Sequence, residues 1–242
     1  MSRAKRCYGE GVMDNATLLK QELDTNGYGW LRGVVPTGDL TRLREECLRT
    51  VKPGERLNAT PILRELLGQQ SAMSVLINKV MPSARPVRLV SFAKSGQQNW
   101  ALPWHQDRVV ALKDRVEHPG FSNWTRKSGV WHAEPPIEFL ENMIFARIHF
   151  TRSDEENGCL ELVPKSHTLG FVPADKADDV ADRLGTVNCV AAPGDVLLVH
   201  ALTLHRSRAS ASGMAREALR VDYANQILPP PLEWALNLDG AR

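Results

Sequence analysis

Ala84-Arg-Pro-Val-Arg-Leu-Val-Ser-Phe92 is where the chain changes its period. Upstream, apolar residues recur every three or four positions, the spacing of one helix face. Downstream they gather in short runs rich in Val, Ile, Leu and Phe. Pro82 and Pro86 end the helical part, because a proline ring has no N–H to continue a helix. Val87–Phe92 therefore reads as a strand. Further strand candidates follow at 143–151, 159–163, 186–192, 195–200 and 217–225, bounded by Gly, Pro, Asn and Asp. Many short strands between turn residues predict a sandwich or barrel.

Working back from Pro82, the first third is helical. Asp14 or Asn15 caps a helix through Leu18, Leu19 and Leu23 that stops near Gly27. Gly29-Trp-Leu-Arg-Gly-Val-Val-Pro36 reads as a short strand and turn. Asp39 caps a second helix carrying Leu40, Leu43, Cys47 and Val51. Ile62, Leu63, Leu66 and Leu67, then Met73, Val75, Leu76 and Val80, continue the pattern. The expected fold is α+β and mainly β, in a single domain over 1–242. A helical part at about 1–85 packs on one side of a β core at about 86–228.

Composition narrows the function. With 242 residues, 43% of them hydrophobic, the chain can build a core without a disulfide or metal staple. Its 30 Lys and Arg against 28 Asp and Glu give a net charge of +2, and no basic cluster suggests a nucleic-acid partner. No apolar stretch approaches the ~20 residues that span a bilayer, so no membrane partner is expected. The basic start, Met1-Ser-Arg-Ala-Lys-Arg-Cys7, leads into no apolar run, which predicts a cytoplasmic location. Cys7, Cys47, Cys159 and Cys189 form no CxxC pair, so a zinc ribbon or thioredoxin-type site is excluded and reduced thiols are expected.

Residues 111–142 show little periodicity yet carry Trp124, Trp131 and Pro135-Pro136. A long irregular insertion of this kind suggests a lid over a site, or a flap that only covers a sheet edge.

Two stretches carry chemistry. In Trp104-His105-Gln106-Asp107, His and Asp stand two apart and share a face if they lie on a strand. Pro193-Gly-Asp-Val-Leu-Leu-Val-His-Ala-Leu-Thr-Leu-His205-Arg-Ser207 is a tight turn followed by buried strands. Two His and one carboxylate on one face of a metal leave three positions open, the arrangement of Fe(II) oxygen chemistry. Any one such His is as readily a core imidazole held by backbone. Arg216 stands 11 residues after His205, with Ser207 between them. A buried Arg fork with a hydroxyl beside it can hold a carboxylate at two points. A surface Arg opening a strand is the plainer alternative.

The order of these stretches resembles the phytanoyl-CoA dioxygenase family of Fe(II)- and 2-oxoglutarate-dependent oxygenases, most strongly a bacterial branch. The resemblance runs over about 87–235. It rests on Phe92-Ala-Lys94, Asn99-Trp-Ala-Leu-Pro-Trp-His-Gln-Asp-Arg108, Glu156-Asn-Gly-Cys-Leu-Glu-Leu-Val-Pro-Lys-Ser-His-Thr-Leu-Gly170, Pro193-Gly-Asp-Val-Leu-Leu-Val-His200, His205-Arg-Ser207, Arg216-Glu-Ala-Leu219 and Leu228-Pro-Pro-Pro-Leu-Glu-Trp234. It implies a double-stranded β-helix, a cupin-like jelly roll backed by helices. It implies Fe(II) on His105, Asp107 and His205, with O2 and 2-oxoglutarate as cosubstrates. Arg216 and Ser207 would take the distal carboxylate, with Lys94, Asn99 and Trp104 around the cofactor pocket. The turn reads Pro164-Lys-Ser-His where the family commonly has Pro-Gly-Ser-His, and Ala93 replaces a frequent Asp; neither touches the metal. Because Asp107 is present, hydroxylation is favoured over halogenation, with release of succinate and CO2.

The substrate is expected to be a small molecule. Arg108, Trp124, Arg126, Lys127, Trp131, His132 and Arg147 are its candidate contacts, a mixture suited to an anionic or aromatic compound. A monomer or homodimer is expected. Two rival readings remain: a cupin-like metal enzyme that does not use 2-oxoglutarate, and a non-catalytic binding module on the same fold.

Overall fold

The computed structural model describes residues 15–49, 54–95 and 98–239. Cys7, Asp14 and Val51, named above, lie outside the described residues.

The first part alternates helices with edge strands: α1 (Asn15–Asn26), β1 (Tyr28–Leu31), α2 (Thr37–Cys47), β2 (Glu55–Arg56), α3 (Pro61–Leu67) and α4 (Ala72–Val80). α1 buries Leu19 and Leu23 on one face. α2 begins two residues before the expected cap. Pro36 precedes it, and Asp39 sits in its first turn, where a carboxylate favours the positive helix end. α3 starts with Pro61 at its first position while the Thr60 hydroxyl accepts from Leu63 N (3.3 Å). Ser71 caps α4 in the same way through Ser74 N (3.2 Å).

Strands then dominate: β3 (Arg85–Lys94), β4 (Leu102–His105), β5 (Val110–Leu112), β6 (Ser122–Lys127) and β7 (Val130–Glu134). After the short α5 (Ile137–Leu140) come β8 (Met143–His149) and β9 (Leu160–Leu162). After α6 (Ala177–Leu184) come β10 (Val187–Cys189), β11 (Val196–His200), β12 (His205–Ser207) and β13 (Arg216–Ala224). Every core strand expected from the sequence is present. The pairings are antiparallel and form a six-stranded sheet, β1-β11-β8-β13-β3-β2, and a four-stranded sheet, β10-β9-β12-β4. The two sheets face each other across Phe145, Leu197 and Val199 of the large one and Leu160, Leu162 and Cys189 of the small one. This is the jelly roll.

The segment 111–142 corrects the expectation of irregular chain. Part of it forms a third sheet, β5-β7-β6, from strands at 110–112, 122–127 and 130–134. Period reading failed because β6 is exposed on both faces, so no apolar alternation marks it. The segment is also tied down: Lys113 N donates to Glu233 O and Ala235 N to Ala111 O.

α1 to α4 cover the outer face of the large sheet. Leu63, Leu67 and Ile77 there meet Leu89, Ile148, Leu219 and Val221 in one apolar cluster. Burying each such side chain contributes about 1.5–3 kcal/mol. Cys47, Cys159 and Cys189 are buried free thiols, and burial raises Cys47 to about 12. Among the described residues no helix is long and apolar enough to cross a membrane.

Candidate active site

Strand alternation decides what faces the space between the sheets. Arg88, Val90 and Phe92 of β3, Phe145 and Arg147 of β8, and Arg216 and Arg220 of β13 line a cavity of about 570 Å³. From the small sheet, Leu102, His105, Leu160, His205 and Ser207 line it opposite them. That volume is in the range of small-molecule sites.

His105 and His205 are register partners on β4 and β12, with ring centroids 4.2 Å apart. Each Nδ1 lies beside a carbonyl oxygen, Pro103 O for His105 (2.8 Å) and Thr203 O for His205 (2.9 Å). A carbonyl only accepts, so both Nδ1 atoms carry the proton and both Nε2 atoms keep a lone pair. This is the tautomer a metal takes through Nε2. Burial, then the neighbouring His105, pushes His205 down to about 3, so its ring is neutral near pH 7. Asp107 lies just past the end of β4, with Oδ2 3.5 Å from His205 Nε2. Burial works against its charge, but Arg220 outweighs it, helped by His205, and the carboxyl stays ionised well below the usual range. Gln106 between them donates its side-chain amide to Gly170 O and Leu202 O (2.8 and 2.7 Å), which fixes the strand end.

The donor set suits a divalent ion: two bare imidazole nitrogens and a carboxylate whose Oδ2 is buried and accepts no hydrogen bond. Asp107 leans on Arg220, whose Nη1 donates to Oδ1 (2.9 Å) and lies 2.8 Å from Oδ2. Among the described residues, no three His, Cys, Asp or Glu side chains already converge at metal-ligand spacing. The fit is therefore one of donor chemistry within a shared cavity, not of a finished cage.

At the other end of β13, Arg216 is 3% exposed with no carboxylate partner among the described residues. Its Nη2 donates to Ser207 Oγ (3.0 Å), and its Nε and Nη1 are buried without partners. Burial lowers it to about 10, so it remains a cation. Lys94, its register partner, donates to the same Ser207 Oγ (3.1 Å) and to Arg208 O (2.5 Å). Burial, then Arg216 and Arg147, brings Lys94 down to about 7. Two spare guanidinium donors beside a hydroxyl make a receptor for a carboxylate.

Between these ends runs a chain of ion pairs that sequence reading missed. Arg88 Nε donates to Asp222 (2.6 Å), Arg220 Nε donates to Asp222 (2.5 Å), and Arg220 reaches Asp107. The signal was present: Arg220 and Asp222 share strand parity with Arg216. Arg56 and Trp100 also line the cavity and were missed. Arg147 does face the cavity, its guanidinium 5.0 Å over the Phe92 ring. Arg108 and Lys127 line it as well, Arg108 paired with Glu134 (2.6 Å).

Six expected contacts fall elsewhere, among them Arg126, whose Nε donates to Gly129 O (3.1 Å) on the hairpin. Trp104 alternates away from His105 into an apolar cluster with Val163, Val180 and Leu204. Asn99 exchanges two hydrogen bonds with the Ser210 backbone (2.8 and 2.7 Å) and so pins a loop. His132 is fully buried behind the cavity wall, with Nδ1 on Val130 O (3.0 Å). Trp124 packs against the cluster of Phe121, Leu140 and Leu232, and Trp131 lies under Arg126 (5.4 Å).

A family model for phytanoyl-CoA dioxygenase (PhyH) matches residues 23–218. No curated protein matches the sequence. Solved structures share the fold at low identity. The non-heme alpha ketoglutarate dependent epimerase SnoN from nogalamycin biosynthesis is 16% identical, with a TM-score of 0.63 over 87% of this chain and 80% of that one. The carbocyclase SnoK from the same biosynthesis is 18% identical, with a TM-score of 0.62 over 89% of this chain and 87% of that one. EctD from S. alaskensis, solved with 2-oxoglutarate and 5-hydroxyectoine, is 15% identical, with a TM-score of 0.63 over 90% of this chain and 79% of that one.

Proposed function

The chain belongs to the phytanoyl-CoA dioxygenase family of Fe(II)- and 2-oxoglutarate-dependent oxygenases, and from that premise we propose that it hydroxylates an unactivated C–H bond of a small metabolite or natural-product intermediate. His105, Asp107 and His205 would hold the iron, and Arg216 with Ser207 would hold the distal carboxylate of 2-oxoglutarate. Iron bound there with this cosubstrate and O2 would supply the oxidising power for such a C–H bond, with succinate and CO2 as the coproducts.

The protein's own part is orientation, charge and dryness. Pro103 O and Thr203 O hold the two imidazoles with Nε2 inward. Arg220, anchored on Asp222, keeps the Asp107 carboxylate ionised and aimed. Phe92, Phe145 and Leu160 supply apolar wall. One observation carries the reading: a single cavity joins two imidazoles whose Nδ1 atoms are held by carbonyls to a buried Arg216 that has no carboxylate partner among the described residues.

The test is incubation of the protein with Fe(II), 2-oxoglutarate and a metabolite extract, with mass spectrometry of products and succinate. A gain of one oxygen is expected. A product of unchanged mass, or one lighter by two hydrogens, replaces hydroxylation with epimerisation, or with ring closure or desaturation. Turnover without 2-oxoglutarate would favour the cupin-like alternative. Arg216→Lys keeps charge but loses the planar fork, so 2-oxoglutarate affinity should fall at least ~10-fold, about 1.4 kcal/mol. Unchanged dependence on 2-oxoglutarate would remove Arg216 from this role.

A further inference from the structure

The cavity holds far more positive charge than 2-oxoglutarate requires. Of its lining residues, seven are Arg or Lys and one, Asp107, is a carboxylate. Arg88 and Arg220 are neutralised by Asp222 and Asp107, and Arg108 by Glu134. Arg216 and Arg147 flank the end where the cosubstrate would sit. Arg56, on the edge strand β2, and Lys127, on the β6–β7 hairpin, remain, and neither makes an ion pair among the described residues.

Register separates the two ends. Arg56 pairs with Val90, and Val90 with Arg220, whereas Arg216 pairs with Lys94. Two strand spacings and four residues of rise therefore lie between Arg56 and Arg216, about 17 Å across the sheet. Arg56 Nη1 donates to Gly54 O (2.5 Å), and its Nε is buried without a partner. The wall's field is visible in His132, which burial, then Arg88 and Arg56, with Lys127 adding, hold at about 4. Burial, then Arg88 and Arg220, lower Arg56 to about 10 even though Asp222 and Asp107 act the other way, and a half-buried guanidinium so placed is costly unless a further anion joins it.

We infer that Arg56 and Lys127 form a second anion subsite, so that the molecule oxidised carries a carboxylate or a phosphate monoester. This rests on the hydroxylase reading for its meaning as a substrate site, but its geometry is independent of Arg216. The anion anchors one end of the substrate on β2 and the β6–β7 hairpin, leaving the rest to reach toward His105 and His205.

Calorimetric titration of phenyl phosphate and of benzoate tests it, into protein loaded anaerobically with Fe(II) and saturating 2-oxoglutarate. Uncharged benzyl alcohol serves as the comparison. Binding of at least one anion is expected, unaffected by raising 2-oxoglutarate, and at least ~10-fold weaker in Arg56→Gln. Lys127→Gln, on an exposed hairpin, should weaken it a few-fold and more so at low salt. The inference is overturned if neither anion binds, if they compete with 2-oxoglutarate, or if both variants bind as the wild type does. Should 2-oxoglutarate itself fail to bind, the hydroxylase reading falls. The same titration without it then decides the subsite on its own.

Discussion

The two faces of the six-stranded sheet are built by opposite rules. On β13, Leu219, Val221 and Tyr223 turn to the helices, while Arg216, Arg220 and Asp222 turn to the cavity. On β8, Ile144, Ala146 and Ile148 turn one way, Phe145 and Arg147 the other. One strand thus carries an apolar half that stabilises by area and a charged half whose burial costs free energy. Stability is concentrated on the helix face, and chemistry on the cavity face. Substitutions should separate accordingly.

The largest effect is expected on the cavity face. His205→Ala should abolish turnover and iron retention while leaving a folded protein, as should His105→Ala and Asp107→Ala. Metal content after gel filtration is the second readout. His200→Ala is the control: its Nε2 lies on Glu141 O (3.0 Å) and its Nδ1 accepts from Leu202 N (3.2 Å), so it has no free nitrogen for a metal. Activity in His205→Ala with loss in His200→Ala would reverse the assignment.

Next comes the helix face. Leu219 is 0% exposed, and Leu219→Ala should cost ~2–5 kcal/mol in urea unfolding. Activity per folded molecule should hold. A change in 2-oxoglutarate affinity larger than the change in stability would show that the faces are not independent.

How much of this was legible follows the same division. The period change at Pro86 and the apolar runs gave the strands, because burial on two sides leaves a strong signal. His105, Asp107, His205 and Arg216 were legible as spacings. Trp104 was misplaced because the neighbour of a site residue on a strand points to the other face, and Asn99 because its amide is taken up by the Ser210 backbone of a loop. Arg56 was illegible: it sits in a two-residue strand with no pattern, and only register brings it to the cavity. The β6 strand of 111–142 was hidden because a solvent-facing strand needs no apolar code.

Acid should sharpen the contrast by a smaller amount. Burial, then Arg147, lowers His149 to about 3, against an ordinary 6.5. Between those values the unfolded chain binds a proton that the native protein refuses. Stability therefore rises with pH across this window and is lost as pH falls below about 6.5. The slope is up to about 1.4 kcal/mol per pH unit for one such group. Asp107, with a depressed value, adds a loss only below about 3.8, its unfolded range. Urea midpoints at pH 7, 6 and 5 should show the slope, and His149→Gln should reduce it. Leu219→Ala should lower every midpoint without changing the slope. An unchanged slope in His149→Gln would mean that residue is not the buried neutral imidazole described.

The smallest effect should come from Ser207, and its size tests how the cosubstrate end is organised. Its Oγ accepts from Lys94 and Arg216, and donates to Gly158 O (3.2 Å). Gly158 has φ +70° and lies so close to Arg208 O that a Cβ there would stand 2.3 Å from it. With its proton on Gly158 O, Ser207 would help hold the carboxylate by orienting the two cations that donate to it. Ser207→Ala removes that orientation but leaves both charges in place. The loss in 2-oxoglutarate affinity should be near ~1 kcal/mol, about five-fold. It should stay below the loss from Arg216→Lys, and the double variant should fall short of additivity, because the two side chains touch. A loss from Ser207→Ala that exceeds the Arg216→Lys loss would make the hydroxyl the principal anchor. Arg216 would then be the group that positions it.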